Sequence, residues 1–327
     1  MTAWQKMDDW AARNIPFVFL VDFEQQKPVA VPLVEAAAEG IWFSTPNMRN
    51  AGTAPVPENA LFEKHPISFE EYHHGYRIVA EHIHAGNSFL LNYTCPTPVS
   101  TNLSLRQIFH SAAAKYRVLF RNEFVCFSPE TFIEISGNRI LTRPMKGTID
   151  ARLPDARTRI LNDFKETAEH NTIVDLLRND LNRIARRVKV EKFRYLDRLE
   201  TNEKNLLQVS SEISGVLPVN WPSEFSALLK NLLPAGSVSG APKAKTLEII
   251  REAETGPRGY YTGVFGVCRG REVEVAVLIR YIEQTPEGLF YRSGGGITCF
   301  SDPESEYREM IDKVYLPIPQ TEPNPSC

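Results

Sequence analysis

Apolar residues recur along this chain in two rhythms that separate strands from helices. Runs rich in valine, isoleucine and aromatic residues read as strands: FVFLVDF (17–23), FVCFSPETFIEIS (124–136), RILTRPM (139–145), GYYTGVFGVC (259–268), EVEVAVLIRYIEQ (272–284) and GLFYRSGG (288–295). Several stand in adjacent pairs, which predicts antiparallel hairpins. Helices fall between them. Ser68 stands three residues before Glu71, the spacing of a capping box, and Tyr72, Tyr76, Val79 and Ile83 follow at helical intervals. A second helix is predicted from about Thr158 to Arg187, with Ile173, Leu176, Leu177 and Leu181 on its core face. A third follows the glycine turn RSGGGITCF, with Ser301 and Glu304 as a capping box and Pro303 in the first turn, where its missing N–H costs nothing. On it Glu306, Glu309 and Lys313 share one face, and Tyr307, Met310 and Val314 form an apolar stripe beside them. Strands and helices do not alternate strictly, so the pattern reads as α+β rather than a doubly wound parallel sheet. The proline-rich end LPIPQTEPNPSC reads as a loose tail.

Composition narrows the function without choosing one. A chain of 327 residues that is 43% hydrophobic and 24% charged is an ordinary globular sequence, and no Gly/Ser-rich linker, charge block or repeat divides it. One domain is expected. A net charge of −3 and a pI near 6.2 argue against a nucleic-acid partner, which would call for a basic face. No apolar run reaches the length of a membrane span, and the start MTAWQKMDDWAARN is acidic and amphipathic, so a cytosolic location is expected. The five cysteines, Cys95, Cys126, Cys268, Cys299 and Cys327, are odd in number and form no CxxC pair. Reduced thiols are the expectation.

Some chemistry can be set aside. His73, His74, His82 and His84 lie mostly opposite the apolar stripe of their helix and read as a solvated face rather than a metal site. Cys268, in GVCRG, sits inside a strand-like run with no downstream His-x-Glu pair to activate a thiolate. Without such a cysteine the chain has no means of releasing ammonia from glutamine.

Four segments remain. Glu306 and Glu309, one turn apart, repel each other unless a positive charge intervenes; they are either a solvated acidic face or part of a hard-cation site. FKETAEHNTIVDLLRNDL carries Glu169 and the polar group Asp175, Arg178, Asn179 and Asp180 beside its core face. LLPAGSVSGAPKAK, with Ser239 and Gly240, leads glycines and serines into a helix whose free N–H groups would suit a carboxylate or phosphate, though it is no Walker loop. SPETF followed by TRPMKGT places Glu130 and Lys146 on what read as consecutive antiparallel strands, and the lysine is either a surface charge, as isolated lysines usually are, or, with Arg143 beside it to lower its pKa, a nucleophile.

Together these segments resemble the chorismate-utilising enzyme family. The resemblance runs from about Ile67 to Val314 and rests on RPMKGT, EHNTIVDLLRNDL, GSVSGAPK, RGYYTG, AVLIR, SGGGI and EYREMIDK, in the family's order. It implies a four-layer α/β/β/α sandwich of two large antiparallel sheets. Residues 67–316 would be the catalytic core, 1–66 a shortened part of the same domain, and 317–327 a flexible tail. It also implies roles. Glu169, Glu306 and Glu309 match magnesium ligands, and Glu130 matches the general acid that helps the C4 hydroxyl leave. Arg280, Lys313, Tyr261 and the backbone of Gly294, Gly295 and Gly296 match positions that hold the carboxylates of chorismate, and Ser239 and Gly240 are carried with them as substrate contacts. Lysine at 146 matches members that aminate chorismate at C4, where anthranilate-forming members have a small residue. Ammonia would then come from a separate glutamine amidotransferase subunit. Leu90 stands where water-adding members have an activating lysine, Leu207 where several members have a histidine, and TCFS and PAGS replace the usual ADS and PGGS. The alternatives are anthranilate formation and a catalytically silent binding homologue.

Overall fold

The computed structural model describes residues 1–52, 60–200 and 205–318. Its strands form two antiparallel sheets, of nine and eight strands. Across the first, the order is Met145–Asp150, Asn205–Val216, Arg139–Thr142, Thr131–Ser136, Glu272–Val277, Val264–Arg269, Phe17–Val21 and Val29–Pro32, with Arg186–Glu200 along the other side of Asn205–Val216. The second runs Gly240–Ala241, Leu90–Thr101, Gly288–Ile297, Tyr281–Thr285, Phe124–Ser128, Tyr116–Phe120 and Ile41–Ser44, with Phe62–Lys64 beside Leu90–Thr101.

Phe17–Val21 shows why the sheets stack. All five residues are buried, but the two-residue period divides them. Phe17, Phe19 and Val21 join the core beneath the helices Ala3–Ala12, Phe164–Asn182 and Phe225–Leu232, while Val18 and Leu20 join Phe43, Phe120, Phe265 and Tyr281 between the sheets. On the far side, helices Phe69–His84, Lys243–Ala253 and Pro303–Asp312 cover the second sheet through Tyr72, Val79, Ile249 and Met310. The result is the four-layer sandwich expected from the sequence. The Ser68–Glu71 capping box forms, and Tyr72, Tyr76, Val79 and Ile83 are buried. Among the described residues no helix is long and apolar enough to cross a membrane. Of the proline-rich end, 319–327, including Cys327, lies outside the described residues.

The structure corrects several local readings. FVCFSPETFIEIS and EVEVAVLIRYIEQ are not single strands: each leaves one sheet and enters the other, at Pro129–Glu130 and at Leu278–Arg280. The two crossings are tied together by Phe127 N–H to the Arg280 carbonyl, 3.0 Å, and Val277 N–H to the Glu130 carbonyl, 3.2 Å. GYYTG is a turn, and its strand begins only at Val264. The helix expected over Thr158 to Arg187 is two, Ala156–Asn162 and Phe164–Asn182, because Asp163 caps the second by accepting from Glu166 N–H. The last helix is capped by Asp302, which accepts from Ser305 N–H, instead of by Ser301 with Glu304. Met145–Asp150 does not pair with the strand after Glu130; it continues the line of Arg139–Thr142 along Asn205–Val216.

One buried residue fastens the sheet under the site. Arg258 is 1% exposed, yet its guanidinium meets both Glu254 oxygens at 2.6 and 2.9 Å and the carbonyls of Val238 and Asn92 at 2.7 and 2.6 Å. Glu254 in turn accepts from the backbone and hydroxyl of Thr94. Removing one member strands the other charge in the interior. Arg258→Ala is expected to cost about 3–5 kcal/mol in urea unfolding, whereas breaking an exposed pair such as Lys245–Glu248 should leave the unfolding midpoint close to the parent's.

Candidate active site

The crossings and the glycine strand converge at one end of the sandwich. Lys146 lies on Met145–Asp150 just before a register shift at Gly147, whose φ of +69° suits glycine; such a bulge re-aims its neighbours. Lys146 Nζ donates to Glu169 Oε2 at 2.9 Å. Glu169, 4% exposed, projects from Phe164–Asn182, which also carries Lys165 and Glu166 in its first turn. Opposite stands Pro303–Asp312. Its Glu306, 3% exposed, accepts from Lys165 at 2.5 Å and from Ser301 Oγ at 2.7 Å. Its Glu309 accepts from Lys313 at 2.6 Å, and Lys313 also donates to the Gly294 carbonyl at 2.8 Å.

The glycines leave this space open. A methyl group at 295 would lie 3.2 Å from Glu306 Oε2, and one at 296 would lie 3.3 Å from Glu169 Oε2 and 3.4 Å from Lys146 Nζ. Leu90, 3% exposed, borders the same place, 3.0 Å from a methyl at 296.

Glu130 enters from the first crossing and accepts from Ser237 Oγ at 2.5 Å. Burial raises its pKa, against the pull of that hydrogen bond and the positive charges of Lys146 and Arg280. Arg280 comes from the second crossing in the left-handed backbone region, φ +56°. Its guanidinium lies over the Tyr315 ring at 5.7 Å, with Tyr291 and Tyr261 as further neighbours, and its buried Nε has no hydrogen-bond partner among the described residues. Lys313 is lowered by burial and by repulsion from Lys146 and Arg280, which outweigh Glu309. A guanidinium with an unspent donor, together with two lysine ammonium groups, has the donors that recognition of an anion calls for.

Most of the expected residues therefore meet: Lys146, Glu130, Arg280, Lys313, Gly294 to Gly296, Glu169, Glu306 and Glu309. Tyr261 is buried and packs on Tyr281. In the segment carrying Ser239 and Gly240, the Ser239 hydroxyl is spent on the Ala235 carbonyl, and Gly240 pairs with Leu91 in the sheet; Ser237 is the residue that reaches Glu130. The helix after them opens elsewhere, into a cavity of about 790 Å³ where Lys243 bonds Asp180 at 2.8 Å. Asp175 also lines this cavity and forms an exposed ion pair with Arg178. Arg143 does not flank the Lys146 ammonium as expected, because it is bound by Glu134 and Glu212. Burial disfavours the Lys146 charge, but Glu169, Glu166 and Glu309 overcome this and raise its pKa. Here Lys146 is an ammonium.

Other sequence candidates stay outside. His73, His74 and His84 are exposed, and His82 bonds Glu252 and Asn87. Cys268 is fully buried in its strand, and burial pushes its thiol up to about 12. Lys165, Glu166 and Ser237 were missed. The i, i+4 spacing of Lys165 and Glu169 and the Asp163-x-x-Glu166 cap were the available signals. His170 was missed as well; it is buried behind Glu169, holds Ser211 Oγ at 2.6 Å and is kept neutral by burial and Arg194, with its pKa lowered to about 4.

The carboxylates suit magnesium chemically, being hard oxygen donors on two facing helices. Each is already engaged by an ammonium, and among the described residues no three His, Cys, Asp or Glu side chains stand close enough to hold an ion.

The model for chorismate binding enzymes matches residues 23–319. An uncharacterized PabA-like protein of Haemophilus influenzae is 49% identical over 314 residues, covering 96% of each chain. Aminodeoxychorismate synthase component 1 of Escherichia coli is 31% identical over 269 residues, 77% of this chain and 58% of that one. Among solved structures, an isochorismate synthase, DhbC of Bacillus anthracis, superposes with a TM-score of 0.70 at 19% identity, over 95% of this chain and 87% of that one.

Proposed function

The chain belongs to the chorismate-binding enzyme family, and on that premise we propose that it aminates chorismate at C4, as an aminodeoxychorismate synthase component I serving p-aminobenzoate and folate formation. The observation that carries this reading is Lys146: its Nζ stands over Gly296, beside Glu169 and within electrostatic reach of Glu130.

Arg280 and Lys313 would receive the carboxylates of chorismate, with Tyr261 and the Gly294–Gly296 backbone shaping the floor. Glu169, Glu306 and Glu309, which do not stand close enough to share an ion while lysines engage them, would hold magnesium only once those ammonium groups move aside and the acids draw together. When bound it supplies the positive charge that fixes the ring carboxylate among them. Glu130, protonated, gives its proton to the departing C4 hydroxyl while Lys146 Nζ forms a bond to C2, so that water leaves. Ammonia then attacks C4, Glu130 takes up the proton, and Lys146 is expelled as an amine. Lys146 can act only after releasing Glu169 and losing a proton. Leu90, apolar beside Gly296, offers no base to activate water for addition at C2. Leu207, opposite Ile149 on the strand beside Lys146, offers no imidazole for the anthranilate route. Ammonia would come from outside the chain, from ammonium or a glutaminase subunit, since among the described residues no cysteine is paired with an activating histidine. Residues 1–66 would be part of the same domain, because their strands lie in both sheets.

The intermediate provides the test. Incubation with chorismate and magnesium but no ammonia is expected to add the mass of chorismate less water to the peptide bearing Lys146, without borohydride, because the bond is a secondary amine. No adduct, or one on another residue, would count against the lysine route.

A further inference from the structure

Lys165 belongs to none of the roles above, yet it holds a central position. Its ammonium is 2.5 Å from Glu306 Oε1 and 3.9 Å from Glu169 Oε1. Those carboxylates come from different helices, Pro303–Asp312 and Phe164–Asn182. Lys146 bonds Glu169, and Lys313 bonds Glu309. Among the described lysines, Lys165 is the one whose ion pairs span two of the three acids assigned to the metal. The Glu306 side chain is 2% exposed, and its Oε1 accepts from both the Lys165 ammonium and the Ser301 hydroxyl.

We propose that Lys165 is the resident counter-cation of this cluster: its ammonium closes the carboxylates while no divalent ion is bound, and ion and ammonium exclude one another. The proposal rests on the assignment of magnesium to Glu169, Glu306 and Glu309. Magnesium requires oxygens at about 2.0–2.1 Å in near-octahedral array, and the Glu306 oxygen it needs is taken. A doubly charged ion entering beside a fixed ammonium would also meet direct repulsion.

The geometry gives Lys165 an exit. It lies in the first turn of its helix next to Phe164, which is 69% exposed, and its own side chain is 30% exposed. A four-carbon stem can swing from there into water. Lys313, by contrast, is anchored by the Gly294 carbonyl as well as by Glu309. The starts of the two helices stay linked without the lysine, because Phe164 packs edge-on against Phe300 at 5.3 Å. Release of Lys165 therefore need not open the site. The ammonium sets the threshold at which the free protein accepts a divalent ion.

Calorimetric titration of the full chain with magnesium chloride, without substrate, tests this. Lys165→Met is expected to bind magnesium about tenfold more tightly than the parent, and Lys165→Arg, which keeps the charge, to remain within about threefold of it. Equal affinity of Lys165→Met and the parent overturns the proposal while leaving the metal assignment standing. Absence of binding to any of the three proteins contradicts that assignment and the proposal with it. A second measurement needs no variant. Reductive methylation of the parent, read by peptide mass, should modify Lys165 faster when magnesium is present and the exposed Lys245 at an unchanged rate. A Lys165 rate that magnesium leaves unchanged or slows overturns the proposal.

Discussion

Lys146→Ala is expected to lower the kcat for amination on the order of 10³-fold or more, the scale reached when a covalent nucleophile is removed. The KM for chorismate should change little, because Arg280 and Lys313 remain. This split distinguishes a nucleophile from a structural lysine. Lys146 is also the partner of Glu169, so its loss leaves a buried acid less well compensated. Lys146→Met, matched in length but unable to bond, should share the kinetic loss. Lys146→Arg keeps the charge near Glu169 and should stay folded, yet it should not form the adduct, because guanidinium does not deprotonate near neutral pH. Activity of Lys146→Ala at the parent rate would exclude covalent catalysis and require direct attack of ammonia on C4.

Glu130→Gln is expected to cost about 10²–10⁴-fold in kcat/KM, the usual range for a general acid. The sign of its pH dependence follows from its surroundings. Burial raises the Glu130 pKa, and the Ser237 hydrogen bond, Lys146 and Arg280 only partly oppose this. The protonated form performs the first step, so Glu130 contributes to kcat/KM a factor that is full below its raised pKa and falls as pH rises through it, set against the rise that deprotonation of Lys146 brings. Glu130→Gln should lose this limb. Ser237→Ala removes a hydrogen bond that favours the carboxylate, so it should move the limb to higher pH. A limb in the same place in Glu130→Gln would assign the titration to another group.

The glycine and carboxylate motifs were legible because their spacing is local. Glu306, Glu309 and Lys313 are separated by three and four residues, and a helix brings such positions onto one face whatever lies beyond it. The period-2 runs likewise identified strands and their faces. They could not identify partners. An apolar pattern specifies which side of a strand is buried but is silent on which sheet it joins, so the crossings at Pro129–Glu130 and Leu278–Arg280 were invisible. Those crossings deliver Glu130 and Arg280 to the site. The environment of Lys146 was misjudged for a related reason. Arg143 is three residues away in sequence, but Glu134 and Glu212 on neighbouring strands claim it, while Glu169 arrives from a helix 23 residues later. The lysine expected to be held toward its neutral form is held charged. The break at Asp163 was readable in principle, since Asp163 and Glu166 have capping spacing within a continuous helical pattern.

The identity of the product bears most directly on the proposed activity. The purified chain would be incubated with chorismate, magnesium chloride and ammonium chloride, and the products separated and identified by mass. Accumulation of 4-amino-4-deoxychorismate as chorismate is consumed is the expected result. Anthranilate with pyruvate, isochorismate, or unchanged chorismate would contradict amination at C4.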